Sequence, residues 1–207
     1  AELHLYSEDA CWPQIEPLAR LLGVRAALLA SDTGASSFDE CFSGLWWQLS
    51  ARLAQAAAPG VAPPPLPQAC ASATVELRGE LDVQHGLARR DAEALMAYLQ
   101  HTGVLAGDAP VALPAPACTA TPLAGSQTVK APAAGVLVFH AAVGATLARG
   151  DTVAEIIDPL AGTVTTVHAE VDGVLYARVS NRYVLPHDDL AKIAGRVAFR
   201  TGNLLGA

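Results

Sequence analysis

Along the first hundred positions, apolar residues recur at strand spacing and at helical spacing in alternation. Leu3 to Tyr6 reads as a short strand edge. Trp12-Pro13 opens a helix that runs through Leu22, with Pro13 suited to a first-turn position and Ile15, Leu18, Leu21 and Leu22 on one face. Gly23 stops it. Val24 to Ala30 is apolar enough for a buried strand, and Ser31-Asp32-Thr33-Gly34 is a loop. Ser37 and Glu40 have the spacing of a capping box. The helix behind them carries Phe38, Phe42, Leu45, Trp46, Leu49 and Leu53 at helical spacing, with Trp46 read as core and Trp47 as covering an edge. Five prolines between Pro59 and Pro67 require an extended surface loop. Ala71 to Leu77 returns to strand. Leu87 to Gln100 is a further helix, with Leu95, Met96 and Leu99 inward and Gly103 as its stop. Strands alternating with helices predict an α/β sheet covered by helices, here a small one.

The pattern changes after about residue 108. Asp108 to Gly125 carries four prolines and little periodicity, which predicts a linker. From Thr128 to Ala194 the chain is all strand and turn, and it repeats itself. Val129-Lys130-Ala131 leads to Gly135-Val136-Leu137, and 38 residues later Val167-His168-Ala169 leads to Gly173-Val174-Leu175. Asp151 to Ile156 is echoed 37 residues on by Asp188 to Ile193. Two such halves make a small all-β sandwich or barrel module with an internal repeat. The expected organisation is therefore residues 1–108 in an α/β unit, 109–127 as a Pro-rich linker, and 128–207 as the β module with a C-terminal tail.

Composition narrows the function classes. The 207 residues are 52% hydrophobic and 16% charged, which is globular. The net charge is −7 and no basic patch is present, so neither nucleic acid nor an anionic membrane is expected as a partner. Leu18 to Ala30 is broken by Arg20 and Arg25, and no apolar run reaches the ~18 residues a membrane helix needs. The first residues already read as strand, without an initiator Met or a signal-peptide core, so the chain is expected to begin inside a domain. Cys11, Cys41, Cys70 and Cys118 contain no CxxC pair, which argues against a zinc ribbon and for reduced thiols in a cytoplasmic protein.

Candidate chemistry is sparse. The β repeat resembles biotinyl and lipoyl carrier modules, but the hairpin that would present the carrier lysine reads Asp158-Pro159-Leu160-Ala161-Gly162-Thr163, so carrier function is not expected. No HxxE, HExxH or HxH occurs, and the six histidines have no metal-ligand spacing. Gly-x-Ser-x-Gly, Walker A and Gly-x-Gly-x-x-Gly are absent. Glu76 lies in Ala-Thr-Val-Glu-Leu-Arg-Gly. Strand alternation puts Thr74, Glu76 and Arg78 on the face opposite Val75 and Leu77. A carboxylate near a strand end can act as a proton carrier at a ligand-binding sheet edge. A surface ion pair between Glu76 and Arg78 is the competing interpretation.

In order along the chain stand Leu3-His4-Leu5-Tyr6, Trp12-Pro13, Ser37-Phe38-Asp39-Glu40, Thr74-Val75-Glu76-Leu77-Arg78-Gly79, Ala131-Pro132 with Gly135, Gly150-Asp151 to Ile156, and Phe199-Arg200-Thr201-Gly202. With these elements the chain resembles the succinylglutamate desuccinylase/aspartoacylase family, a branch of the zinc carboxypeptidase-like fold. The resemblance implies a partial mixed sheet of that fold, a zinc-dependent amide hydrolase or deacylase acting on an N-acyl amino acid or related small amide, and Glu76 as catalytic general base and acid. It implies zinc held by an HxxE pair and a later His of an Asp-Leu-His strand. This chain has no HxxE. Leu3-His4-Leu5-Tyr6 fits the His-Leu-Tyr element downstream of that ligand, which makes His4 a substrate-side residue and leaves this chain with no metal ligands of its own. The alternative takes Glu2-Leu3-His4 as the ligand strand. Arg78 is the candidate clamp for a substrate carboxylate, because its planar fork matches one. The expected partner is a small-molecule substrate, with a homo-oligomer allowed. The competing class is a non-catalytic binding or structural protein built from a degenerate hydrolase half and a biotinyl-like β module.

Overall fold

The computed structural model describes residues 1–31, 33, 37–107 and 110–204. Parts of the loop expected at 31–34 and the boundary expected at 108/109 lie outside the described residues. Strands β1 (Leu3–Ser7), β2 (Ala26–Leu29), β3 (Ala73–Leu77) and β4 (Thr121–Pro122) form one sheet in the order β3-β1-β2-β4. β1 runs parallel to β2 and antiparallel to β3, and β4 is parallel to β2. Alternation along β1 sends Leu3 and Leu5 to one face, where with Ala27 they pack on Cys11, Ile15 and Ala19 around helix α1 (Trp12–Leu22). Val75 and Ala73 join that core. The opposite face carries Tyr6, Ala26 and Leu28, which pack on Leu123, Tyr176 and Ala194 from later in the chain.

Helix α1 follows its sequence signals. Pro13 occupies the first turn, and Gly23 closes the helix at φ 70°, its N–H donating to the Arg20 carbonyl and that of Val24 to the Ala19 carbonyl. Ile15, Leu18 and Ala19 are buried, while Leu21 and Leu22 are only half-buried.

Helix α2 (Phe38–Ala56) reverses the expected orientation. Ser37 Oγ accepts from the Glu40 amide at 3.3 Å, as a cap should, while the Glu40 carboxylate turns to the amide and hydroxyl of Thr33. Yet the apolar stripe points to solvent: Phe38, Phe42, Leu45 and Leu49 are 75%, 54%, 64% and 39% exposed. The buried side is Asp39, Ser43 and Gly44. The cause is Glu8, which is fully buried at the end of β1. Its carboxylate accepts from Ser43 Oγ and, at 2.5 Å, from Trp47 Nε1, with the Cys11 thiol 3.5 Å away. A buried carboxylate demands donors, and the polar side of α2 supplies them. Trp46 is therefore no core residue but half-buried, and Trp47 is anchored by its ring N–H.

Helix α3 (His85–His101) packs on α1. It buries Asp91 and Ala94, whereas Leu95 and Met96, expected inward, are exposed and Leu99 is half-buried. The stretch read as a linker is tied down. Leu113 and Pro114 carbonyls accept from Arg20, Thr121–Pro122 pairs with β2 as β4, and Leu123–Gly125 forms a 3-10 turn.

The remaining strands are β5 (Ser126–Lys130), β6 (Gly135–Phe139), β7 (Thr146–Leu147), β8 (Thr152–Ile157), β9 (Val164–His168), β10 (Gly173–Arg178), β11 (Tyr183–Val184) and β12 (Asp189–Gly195). They build two four-stranded sheets, β5-β12-β10-β7 and β11-β6-β8-β9, and no closed barrel. Leu137, Val153, Ile156, Leu175, Leu190 and Ile193 fill the core between them. Gly173 lies so near the Ala194 carbonyl that any Cβ would overlap it, which explains a glycine at that strand start. The β8–β9 hairpin is closed by Asp158, whose carboxylate accepts from the amides of Leu160 and Ala161, and Leu160 stands exposed at its tip.

Candidate active site

The register of β1 and β3 sets His4 opposite Glu76 and Tyr6 opposite Thr74. These four side chains share the sheet face turned towards the β module. Beside them opens a cavity of about 360 Å³ lined by Tyr6, Thr33, Asp39, Thr74, Glu76 and Leu123. Glu76 is exposed at the outer strand, and among the described residues its carboxylate has no hydrogen bond or ion pair. Asp39 is buried in the first turn of α2, with Thr74 Oγ1 3.5 Å from its Oδ1.

Behind Glu76 sits a ring cluster. His4 is buried between Tyr6, met edge-on with centroids 5.5 Å apart, and Tyr176, with centroids 4.9 Å apart. Its Nδ1–H donates to the Glu2 carbonyl at 2.8 Å, so in the neutral ring Nε2 is an acceptor. Burial pushes the His4 imidazole below its ordinary value, partly opposed by the Glu2 bond and the Glu76 charge. Tyr176 comes from β10. Its hydroxyl lies 3.1 Å from Ser126 Oγ. Burial raises the Tyr6 phenol well above its usual range, so it stays protonated. The β module therefore packs on His4 and Tyr6 behind Glu76, while the cavity itself is lined by residues up to Leu123.

Arg78 lies elsewhere. It follows the end of β3 and takes φ 75°, so strand alternation no longer applies to it. Its guanidinium donates to both oxygens of Asp91, at 2.8 and 3.1 Å, with the two side chains 15% and 11% exposed. The fork expected to hold a substrate carboxylate is taken by α3, and the ion pair with Glu76 does not form. His4 and Glu76 are brought together; Arg78 is not brought to them. Tyr6 and Asp39 stand in motifs that carry the resemblance but had no role assigned to them, and only the β module's position over the sheet points to Tyr176.

Among the described residues no group of three or more His, Cys, Asp or Glu could hold a metal ion. His4 spends Nδ1 on a backbone carbonyl and is closed in by two tyrosines. Among the described residues, these side chains do not fit a metal centre. Nor, among the described residues, is any helix long and apolar enough to cross a membrane.

A helix-flanked mixed sheet with a carboxylate on its outer strand, joined to a two-sheet β module that packs over the same face, defines an architectural class. No family model and no curated protein matches the chain. Solved structures do, and they are succinylglutamate desuccinylase/aspartoacylase family proteins, matched over 94% of this chain. A protein of that family from Shewanella amazonensis SB2B is 26% identical, with a TM-score of 0.77 and 51% of its own length covered. One from Shewanella frigidimarina NCIMB 400 is 24% identical, again at 0.77, with 50% covered. The ectoine utilization protein EutE (DoeB) from Ruegeria pomeroyi, solved with product bound, shares the fold at 15% identity, a TM-score of 0.64 and 53% coverage. The chain spans about half the length of the structures it matches.

Proposed function

We propose that this chain is the part of an amide hydrolase of the desuccinylase/aspartoacylase type that carries the proton-transfer carboxylate, acting on an N-acyl amino acid or related small amide. The observation that carries the reading is Glu76: a carboxylate on the cavity side of an outer strand, with no hydrogen-bond or ion-pair partner among the described residues. In this reading Glu76 takes a proton from the attacking water and passes it to the departing amine. His4, directly across the strand pair, holds the floor beneath Glu76, and Tyr6 with Tyr176 fixes that floor to the β module. Zinc, where the complete enzyme uses it, is held by residues other than those described. Arg78 serves the β3–α3 turn.

The test is Glu76→Gln in the complete enzyme. The amide keeps the size of the side chain but cannot take the proton. Turnover is expected to fall ~10²–10⁴-fold with metal content unchanged. Near-normal turnover, or metal lost together with activity, would assign Glu76 another role.

The reading extends to the β module as two copies of one unit. Shifting β5, β6, β7 and β8 onto β9, β10, β11 and β12 turns one sheet order into the other, which supports two halves related by a pseudo-two-fold.

A further inference from the structure

We propose that a second cavity, at the seam between the first sheet and the β module, is a binding site for a small divalent oxyanion. Arg25 holds the anion from the sheet side and Arg196 from the module side, and the Thr121 hydroxyl donates to it. The inference goes beyond the hydrolase reading and does not rest on it.

The seam is built from small side chains. Ala26 of β2 and Ala194 of β12 lie in the same buried cluster as Tyr176. Beside them opens a cavity of about 540 Å³. Residues 117–121 and the start of β2 line one side of it, and β7, β10 and the end of β12 line the other.

The charge in this cavity is of one sign. Arg25 stands just before β2 and Arg196 just after β12, and both line it. No Asp or Glu among the described residues does so, in a chain whose net charge is −7. Ion pairs among the described residues are made by Arg78, Lys130 and His140, and neither Arg25 nor Arg196 has a side-chain partner there. Two like charges on one cavity repel each other until something negative lies between them. A guanidinium stays charged, and its planar fork matches the oxygens of a carboxylate or a phosphate. Two of them call for two negative charges.

The Arg25 charge is felt inside the cavity. Cys118 also lines it, and burial pushes that thiol up, while a bond to the Ala27 backbone and the Arg25 charge pull it back. The wall also holds a polar group without a partner. Thr121, in β4, has a buried Oγ1 with no hydrogen bond among the described residues. Buried hydroxyls are nearly always bonded, so this one asks for an acceptor that the chain itself does not supply. An oxyanion supplies it and settles both arginines at once. Because Arg25 and Arg196 belong to different parts of the fold, the bound anion also ties the β module to the first sheet.

Two sources share this chemistry. A phosphate carries both charges on one centre, and a dicarboxylate carries them apart. The experiment follows thermal unfolding of the 207-residue chain near neutral pH, titrated with inorganic phosphate or with succinate. Sodium chloride keeps the ionic strength constant, so that general screening does not change. The expected result is a saturable rise in the midpoint with at least one of the two, half-complete below about 1 mM. A rise with phosphate alone assigns a single-centre dianion, and one with succinate alone assigns a dicarboxylate. Arg25→Gln and Arg196→Gln are each expected to raise the half-saturating concentration about tenfold. Neither should lower the midpoint of the anion-free chain, since neither side chain has a partner to lose. Thr121→Val should raise it about threefold, the loss of one hydrogen bond. Arg52→Gln, exposed on α2 and outside the cavity, should bind as the parent does. The bound anion is also expected to slow iodoacetamide alkylation of Cys118, mapped by mass spectrometry, and to leave the exposed Cys41 unchanged. No saturable rise with either anion would overturn the proposal, as would a rise that survives both arginine variants or that Arg52→Gln weakens equally. Thr121→Val at the parent's affinity, or alkylation of Cys118 at an unchanged rate, would overturn it too. None of these readouts is turnover, so the fate of the hydrolase reading leaves the result intact.

Discussion

Replacing Arg78 separates two opposing contributions at one position. The side chain makes a bidentate ion pair with Asp91, and the backbone sits at φ 75°, where a Cβ is unwelcome. An exposed pair contributes at most about 1 kcal/mol, and breaking a fully buried one costs about 3–5 kcal/mol. At 15% and 11% exposure, with two parallel bonds, the loss in Arg78→Ala lies between these limits, about 2–3 kcal/mol. Much of it is the cost of leaving the buried Asp91 carboxylate without its donors. Arg78→Gly loses the same pair but relieves the left-handed backbone, worth about 1–2 kcal/mol. Against this stands the greater freedom of glycine in the unfolded chain, about 0.4–1 kcal/mol. Glycine should therefore be the milder substitution by roughly 0.5–1 kcal/mol. Urea unfolding followed by tryptophan fluorescence gives both differences, and a cycle with Asp91→Asn isolates the pair. Arg78→Ala within about 0.5 kcal/mol of the parent, below the range expected for this pair, would refute the reasoning. So would alanine better tolerated than glycine, because the pair or the strained backbone would then be absent.

Glu8→Gln should cost about 2–4 kcal/mol in the same assay and alter the Trp47 emission, since an amide nitrogen would face donors that now meet a carboxylate oxygen. His4 gives a pH signature with a definite sign. Its folded value lies below the unfolded value of about 6.5, so its contribution is complete above that pH and is lost as the pH falls from there through the folded value. Stability measured from pH 7.5 to 5 should decline, and His4→Gln should flatten that part of the decline.

Much of the fold was legible because local signals agreed with global packing. Pro13 and Gly23 bracket α1 as expected, and the β3 alternation that separates Val75 from Glu76 holds through Leu77. It fails at Arg78, where a positive φ ends the period of two. The stripe of Phe38, Phe42, Leu45 and Leu49 was visible, but helical spacing says which side is apolar and not what lies against it. The partner that turned α2 around, Glu8, is one of two adjacent acids after a strand, and no pattern says which of them is buried. Thr121–Pro122 hid among prolines because a two-residue strand is too short for any period. Of the site, Glu76 and His4 could be picked out, whereas Tyr176 joins them through long-range packing that no local window contains.

The meeting of Tyr176 with the first strand also orders events in time. The carbonyl of Tyr176 accepts from the Glu2 amide at 2.7 Å, and its ring rests on His4, so two distant stretches of chain must find each other. The pairings among β5 to β12, by contrast, close loops only within the module. Closing a longer loop costs more entropy, and contacts of long separation form late. The contact of Tyr176 with the first strand is thus expected to close after the pairings inside the β module, and amide hydrogen exchange at Glu2 would report its opening.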